Sequence, residues 1–232
     1  MSLKLYFHPL SSFCHKALIA LYENDTPFEP HIVDLADEDS RAAFKRIWPI
    51  GKFPVLRDEA GDRTIPESSM IIEYLAQHYP GRTPLVPADP DLALETRLRD
   101  RVYDLYVNVP MQKIVTDRLR PPGRNDAQGV ADAKALLQTA CRVLDEEMAS
   151  RTWATGEAFT MADCAAAPAL FYADTLAPFA GTYDHLASYL RRLAARPAIA
   201  RVLEEAQPYF ALFPMERKPE IARLRSGQAG RT

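Results

Sequence analysis

The chain changes character near residue 80, and this change constrains its fold more than any other feature of the sequence. Up to about Tyr79, short segments with the two-residue period of strands alternate with short segments of helical period. Their order is strand, helix, strand, helix, strand, strand, helix. After a proline-rich stretch at 82–90, the periodic segments are helical. The sequence therefore predicts a small α/β domain followed by an all-α domain.

The predicted domain boundaries follow from the same change. We expect the α/β domain at residues 1–80, a linker at 81–91 and the helical domain at 92–213. Both domains then fall within the usual size range of domains. Residues 214–232 are predicted to form a flexible tail, because residues 217–232 contain five basic residues, one acidic residue and few apolar ones.

Charge and cysteine content exclude several classes of protein. Lys and Arg number 28 against 31 Asp and Glu, a net charge of −3, whereas dedicated nucleic-acid binders are usually basic. No apolar run approaches the roughly 20 residues of a transmembrane helix, and the N-terminus has no signal-peptide pattern. Cys14, Cys141 and Cys164 lack metal-ligand spacing and suit a reducing compartment. We therefore expect a cytoplasmic protein with no metal, nucleic-acid or membrane partner.

Ser11, Ser12 and Cys14 lie at the predicted turn between the first strand and the first helix. The N-terminus of a helix carries unpaired N–H groups and a partial positive charge, which stabilise an anion or a thiolate. A serine hydroxyl at this place can also donate a hydrogen bond to a bound thiolate and lower its pKa. The alternative is structural, with a serine that only caps the helix and a cysteine that faces the core.

Two further clusters are compatible with binding a peptide-like ligand. Pro54 opens a predicted strand, and a cis Phe53–Pro54 bond would leave the backbone of Phe53 free to pair with an extended ligand. An ordinary edge strand is the alternative. Glu67 and Ser68 precede an apolar helix. In a zwitterionic ligand bound there, Ser68 can hold the carboxylate and Glu67 can hold the cation. The alternative is a plain helix cap beside an acid that the helix dipole favours.

In this order and spacing, the three clusters closely resemble those of the cytosolic glutathione transferases, specifically a serine-type, bacterial-like member. The resemblance extends over about residues 3–210. It implies a thioredoxin-like N-terminal domain that binds glutathione and a C-terminal helical-bundle domain that supplies an electrophile pocket. Thr160 and Asp163 also resemble the capping box of that family's central helix, with a role in folding.

The resemblance implies a catalytic role at the start of the first helix. Ser11 falls where serine-type members keep the hydroxyl that activates the sulfur of glutathione. Ser12 is an alternative donor because it directly follows Ser11. Cys14 is a third candidate for contact with the thiolate, since it lies in the same first turn.

On the same basis, residues of the other two clusters are expected to bind glutathione. Phe53, which precedes the family's cis-proline Pro54, would pair with the cysteinyl backbone. Glu67 and Ser68 match the pair that holds the γ-glutamyl group. Lys52 falls near the position that often reaches the glycyl carboxylate.

The implied reaction is attack of the glutathione thiolate on a small hydrophobic electrophile, as in detoxification, with glutathione as co-substrate and no metal. Tyr103, Tyr106 and Met111 are the candidate residues of the electrophile pocket, although such a stripe is more often part of a core. Relatives are usually homodimers. We therefore expect a homodimer that uses the exposed side of the first two helices of the helical domain.

Other functions on this fold stay open at this point. A glutathione-dependent disulfide reductase, peroxidase, dehalogenase or isomerase would share the glutathione site and differ in the second pocket. A non-catalytic glutathione-binding or interaction protein would keep the fold without turnover. A thiol oxidoreductase that uses Cys14 would form a mixed disulfide with glutathione, which a Cys14→Ser variant would lose.

Overall fold

The N-terminal part of the chain folds around a four-stranded mixed sheet. In the computed structural model, which describes residues 2–225, the strands are β1 (Leu3–Phe7), β2 (Glu29–Ile32), β3 (Val55–Asp58) and β4 (Arg63–Pro66). Their order across the sheet is β2-β1-β3-β4, with β2 parallel to β1 and the other two pairs antiparallel. The accompanying helices are α1 (Ser12–Glu23), α2 (Glu38–Ile47) and α3 (Ser68–His78).

The two faces of the sheet pack against different helices. Leu3, Leu5 and Phe7 of β1 are buried in the main core together with residues of α1 and α3. Tyr6 points to the opposite face, because side chains alternate along a strand, and it packs with Phe44 of α2. The sheet therefore lies between two helical layers.

The C-terminal part of the described chain is mainly helical. Its elements are α4 (Pro90–Val102), a π-helical turn (Tyr103–Asn108), α5 (Val109–Asp117), α6 (Ala127–Met148), α7 (Met161–Leu176), α8 (Asp184–Ala194), α9 (Pro197–Ala206), a 3₁₀ turn (Gln207–Leu212) and α10 (Ala222–Arg225). Helix α7 is buried along most of its length and packs against α1, α4 and the π-helical turn. The predicted fold class, an α/β part followed by a helical part, is confirmed.

The sequence predicted one long helix ending near Arg120, and the structure divides it. Helices α4 and α5 are joined by the π-helical turn, in which backbone hydrogen bonds reach one residue further than in an α-helix. Pro110, in the first turn of α5, accounts for this, because a proline nitrogen cannot donate the bond that a continuous α-helix requires. The extra residue rotates the side chains of this segment relative to an unbroken helix.

A capping box begins α7, as the sequence predicted. Asp163 accepts a hydrogen bond from the backbone N–H of Thr160 at 2.8 Å, and the Thr160 side chain accepts the reciprocal bond. The other carboxylate oxygen of Asp163 accepts from the N–H of Ala154 at 2.9 Å and from the hydroxyl of Tyr189 at 2.5 Å. The box therefore also links the start of α7 to α8.

Residues 214–225, the first part of the predicted tail, contact the helical part of the fold. Leu224 is buried in the main core, and Met215 and Ile221 pack against it. These three apolar side chains anchor a segment whose overall composition suggested a tail. Residues 226–232, the rest of the predicted tail, lie outside the described residues. The predicted domain boundaries stay a prediction.

The part of the chain that the structure describes contains no group of His, Cys, Asp and Glu side chains arranged to hold a metal ion. Over the same residues, no helix combines the length and the apolar character needed to cross a membrane. Cys14, Cys141 and Cys164 are free and buried.

Candidate active site

One end of the sheet brings together the three clusters that the sequence analysis singled out. Tyr6 of β1 pairs with Val55 of β3, and Val55 pairs with Pro66 of β4. Because neighbouring strands run in opposite directions here, the residues after β1 lie beside those before β3 and those after β4. The turn at 8–12, the segment 51–54 and the start of α3 therefore meet at one edge.

Ser11 is the N-cap of α1, and among residues 2–225 its hydroxyl has only a weak interaction with the thiol of Cys14 as a donor. Its Oγ accepts a long hydrogen bond of 3.4 Å from the N–H of Cys14. This bond uses a lone pair of the oxygen, so the O–H group can still donate. Ser11 is half-buried and lines a cavity of about 300 Å³ beside α5. It thus presents a donor next to the positive end of a helix dipole.

Ser12 has a structural role instead. Its Oγ donates a hydrogen bond to Oδ1 of Asn108 at 2.8 Å and accepts one from Nε2 of Gln112 at 3.3 Å. The residue is only 3% exposed. Because its single hydroxyl proton is already bonded, Ser12 links α1 to the helical part and is not a free donor. These bonds favour Ser11 over Ser12 as the donor to a thiolate, and the choice between them stays a prediction.

The burial of Cys14 disfavours its predicted contact with the thiolate, which stays a prediction. Its side chain is fully buried and does not line the cavity. Burial raises the pKa of its thiol to about 12, because the thiolate would be taken out of water. A buried thiol that is protonated at neutral pH is neither a nucleophile nor a contact for a bound sulfur.

The backbone of Phe53 is free at the sheet edge. The Phe53–Pro54 peptide bond is cis. Within residues 2–225, no hydrogen bond reaches the backbone N–H or C=O of Phe53. Its ring lines the cavity and stacks on His8, with ring centroids 6.1 Å apart. Lys52 is exposed and forms no ion pair inside the same stretch of chain.

Glu67 and Ser68 occupy the start of α3. Glu67 is the N-cap, with a φ of +69° that is rare for a residue with a side chain. Its exposed carboxylate makes no capping hydrogen bond. Ser68, which the sequence analysis took as the cap, is the first residue of the helix and is buried. The first-turn N–H groups, which have no partner inside the helix, thus lie beside a free carboxylate.

The cavity beside Ser11 has mainly apolar walls. Met111 and Val115 of α5, followed by Leu119, form one side, and Phe213 forms another. Met111, Val115 and Leu119 follow one another at intervals of four residues, which is the spacing of one helix face. The sequence analysis identified only Met111 of these three. A cavity of this size and lining suits a small apolar ligand.

Of the three residues predicted to form the electrophile pocket, Met111 lines this cavity and the two tyrosines do not. Tyr103 is buried in the core of the helical part, close to Tyr189 and Asp163. Tyr106 is 47% exposed. Both tyrosines lie in the π-helical turn before α5, whereas the cavity is lined by α5 itself from Met111 onward.

Comparison with protein families agrees with this arrangement. The family model described as "Glutathione S-transferase, N-terminal domain" matches residues 5–83, and the one described as "Glutathione S-transferase, C-terminal domain" matches residues 102–197. The two matches include the sheet edge and the helices around the cavity. The chain belongs to the glutathione S-transferase family.

Individual members of the family are similar over most of the chain. Glutathione S-transferase F13 from Arabidopsis thaliana is 27% identical over 210 residues, which cover 87% of this chain and 95% of that protein. A glutathione S-transferase from Methylobacterium radiotolerans, solved in complex with glutathione sulfonate, is 27% identical with a TM-score of 0.74, covering 86% and 93% of the two chains. One from Methylobacillus flagellatus with GSH bound shares the fold, with a TM-score of 0.79 at 24% identity, covering 87% and 98%.

In this glutathione S-transferase, a buried ion cluster lies behind the start of α3. Nζ of Lys16 is 2.6 Å from Asp100 and 2.8 Å from Asp104, and it donates to Oγ of Ser69 at 2.8 Å. The Lys16 side chain is 1% exposed. The cluster joins α1 and α3 to α4 and the π-helical turn, so it holds the segment that carries Glu67. The sequence analysis missed it, although two aspartates four residues apart share a helix face.

A second contact that the sequence analysis missed anchors the turn that carries Ser11. Nε2 of His15 lies 2.5 Å from the carbonyl oxygen of Pro9, and the hydroxyl of Tyr172 donates to the carbonyl of Leu10 at 2.9 Å. Burial lowers the pKa of His15 to about 4, because the charged imidazole would be poorly solvated. A neutral imidazole therefore holds this turn of the glutathione S-transferase at physiological pH.

Proposed function

We propose that this protein stabilises the thiolate of glutathione through Ser11 and directs it at a small apolar electrophile. One observation supports the choice of residue: Ser11 combines an O–H group that can donate, the N-terminus of α1 and a place on the cavity wall. Ser12 has its proton bonded to Asn108, and Cys14 is buried. Among the three candidates, Ser11 alone can donate to a sulfur at this edge.

The proposed chemistry needs no covalent bond to the protein. A free cysteine thiol has a pKa of about 8.5, and the thiol of glutathione is similar. A lowering by about 2 pKa units, equivalent to about 2.7 kcal/mol, would make most of the bound thiol ionised at neutral pH. The sulfur then forms a bond to an electrophilic carbon, the leaving group departs with the bonding electrons, and the thiol proton passes to solvent.

The remaining contacts with glutathione are assigned to the free groups at the sheet edge. The unpaired backbone of Phe53 would bond the cysteinyl unit in an extended arrangement. The carboxylate of Glu67 would take the γ-glutamyl amino group, while Ser68 and the first-turn N–H groups of α3 take the carboxylate. Lys52 would meet the glycyl carboxylate. In each assignment, a protein group that has no partner among the described residues binds the part of glutathione with the opposite charge or the matching hydrogen-bonding group.

The electrophile is proposed to be small and hydrophobic. The cavity of about 300 Å³ lies at the lower end of the roughly 300–1,000 Å³ range of ligand pockets. Val115, Leu119 and Phe213 would contact its hydrocarbon part. Gln112 and Thr116 also line the cavity and are the polar groups that would orient it.

We further propose a homodimer formed through the outer face of α4 and the segment that follows it. Leu94 and Leu98 are 67% and 52% exposed, and Leu105 and Val109 are 40% and 46% exposed. Each pair is four residues apart and so lies on one helix face. Extended apolar surfaces of this kind mark contacts with other proteins. A second copy of the chain is the proposed occupant.

A cytoplasmic location and a role in detoxification complete the proposal. The three cysteines of the chain are free, which suits a reducing compartment. An apolar cavity next to an activated thiol suits the capture of reactive hydrophobic compounds. Cell fractionation and the sensitivity of a deletion strain to such compounds would test these two points.

Titration with glutathione across pH, followed by the ultraviolet absorbance of the thiolate, tests the central proposal. We expect saturable binding and an apparent pKa of about 6.5 for the bound thiol, roughly 2 units below its free value. Binding with an unshifted pKa would favour a carrier or a glutathione-dependent reductase. No binding at millimolar glutathione would refute the proposed function.

A further inference from the structure

The cavity beside Ser11 recognises its ligand through neutral hydrogen-bonding groups. Among the described residues that line it, none is Asp, Glu, Lys or Arg, so a charged ligand would find no counter-ion on its wall. The hydroxyl of Tyr172 lines it too, but its proton is already bonded to the carbonyl of Leu10 at 2.9 Å. The remaining polar side chains belong to the turn after β1 and to α5.

The α5 side of the cavity presents hydrogen-bond acceptors. Nε2 of Gln112 donates to Oγ of Ser12 at 3.3 Å, whereas its Oε1 accepts no bond within residues 2–225. The hydroxyl of Thr116 donates to the backbone carbonyl of Gln112 at 2.7 Å, so its proton is used and its lone pairs remain. The two residues are one helical turn apart on one face. This side therefore offers two acceptor oxygens and one remaining N–H of Gln112.

The turn after β1 presents donors instead. Nδ1 of His8 accepts a hydrogen bond from the N–H of Leu10 at 3.1 Å, so the neutral imidazole carries its proton on Nε2. Burial lowers the pKa of His8, because a charged ring would be poorly solvated, and this keeps the ring neutral. The hydroxyl of Ser11 is the other donor of this turn, and we assign it to the sulfur. Donors thus face acceptors across the cavity.

We propose that Gln112 and Thr116 select a neutral electrophile that carries a hydroxyl or N–H group on its side facing α5. This inference rests on the proposed function, because it concerns the second substrate of the same reaction. The donor of the electrophile would bond Oε1 of Gln112 and Oγ1 of Thr116, while its reacting carbon faces the sulfur at Ser11. A purely hydrocarbon electrophile would cover both oxygens without giving either a hydrogen bond, which costs free energy.

Conjugation of glutathione with two benzyl chlorides of nearly equal shape tests the proposal. 4-(Hydroxymethyl)benzyl chloride and 4-ethylbenzyl chloride differ by a hydroxyl in place of a methyl group. In both, the sulfur bonds to the benzylic carbon and chloride leaves with the bonding electrons. After kcat/KM is divided by the uncatalysed rate constant of each compound, we expect the alcohol to be favoured about three- to tenfold, as for one neutral hydrogen bond. A cavity without free acceptors would favour the more hydrophobic ethyl compound.

Variants of similar shape test whether the two residues cause this preference. Gln112→Met and Thr116→Val each remove one acceptor oxygen, and each should lower the ratio of the two normalised kcat/KM values at least about twofold. A general loss of stability or of thiolate activation would change both compounds alike and leave the ratio unmoved. Thr139→Val is the matched control: Thr139 is also exposed and also donates to the carbonyl four residues earlier, at 3.0 Å, but it does not line the cavity. It should leave the ratio unchanged.

A methyl ether separates recognition of a donor from recognition of an oxygen. 4-(Methoxymethyl)benzyl chloride has no O–H group and should be no better a substrate than the ethyl compound. A methyl ether as good as the alcohol, a parent protein that does not favour the alcohol, or a ratio unchanged in both Gln112→Met and Thr116→Val would overturn the inference.

Failure of the proposed function would be recognised separately, because the chain would then conjugate none of the three chlorides. In that case, calorimetric titration of the full chain with unreactive 4-methylbenzyl alcohol and with 4-ethyltoluene decides the inference. Tighter binding of the alcohol would support it. Equal or tighter binding of the hydrocarbon would overturn it.

Discussion

Replacing Ser11 and Ser12 one at a time should separate activity from stability, because the two neighbouring hydroxyls have different partners. Ser11→Ala removes a long cap bond of 3.4 Å to the N–H of Cys14 together with the O–H donor that we assign to the thiolate. Ser12→Ala removes a buried bond of 2.8 Å to Asn108 and leaves that amide oxygen without its donor. The first change should affect catalysis and the second should affect folding.

The expected magnitudes follow from these contacts. A hydrogen bond to a charged group contributes about 1.5–3 kcal/mol, and one pKa unit corresponds to about 1.4 kcal/mol. Ser11→Ala should therefore raise the pKa of bound glutathione by about 1–2 units and lower kcat/KM at neutral pH about ten- to hundredfold. Its cost in free energy of unfolding should be about 1 kcal/mol or less, as for a weak cap. Ser12→Ala should cost about 1–3 kcal/mol and leave the thiol pKa unchanged.

Two measurements on each variant decide the matter: the pH profile of kcat/KM with an aryl chloride electrophile, and the free energy of unfolding in urea. Ser11→Thr is the matched control, because it keeps a hydroxyl at the N-cap and should keep a depressed thiol pKa. If Ser12→Ala raises the thiol pKa and Ser11→Ala does not, the assignment is off by one residue. If neither does, the hydroxyl donor is not what activates the thiol.

Three further predictions concern charge and assembly. Lys16→Met should lower the free energy of unfolding by about 3–5 kcal/mol, because Asp100 and Asp104 would lose their buried cation; urea titration checks this, and a loss below about 1 kcal/mol would contradict it. The pKa of His15 in the folded state is about 4, below its ordinary value of 6.5. As the pH falls, the unfolded chain therefore binds a proton at His15 before the folded chain does. The free energy of unfolding should be unaffected by His15 above pH 6.5 and should fall by up to about 3 kcal/mol towards pH 4. Urea titrations of a His15→Gln variant should lack that fall. Leu98→Glu should convert the proposed dimer into monomers in sedimentation velocity, and a monomeric parent protein would refute the dimer.

Much of the fold was predictable because its signals are local. The alternation of β1, the apolar stripe of α6 and the capping box at Thr160 depend on residues that are close in sequence. Hydrophobic period and helix caps act over a few residues, so a single sequence displays them. The three clusters of the candidate site were found in the same way, each from a short stretch at a predicted turn.

What the sequence by itself determined is therefore the order of the elements and the three short segments that could bear chemistry. Only the tertiary structure decided which hydroxyl is free, since Ser12 is occupied by Asn108 and Gln112, about a hundred residues away. It also placed Tyr103 in the core of the helical part and left Tyr106 about half exposed, away from the cavity that Met111 lines. The physical reason is that the availability of a donor and the burial of a side chain depend on packing partners that lie far apart along the chain.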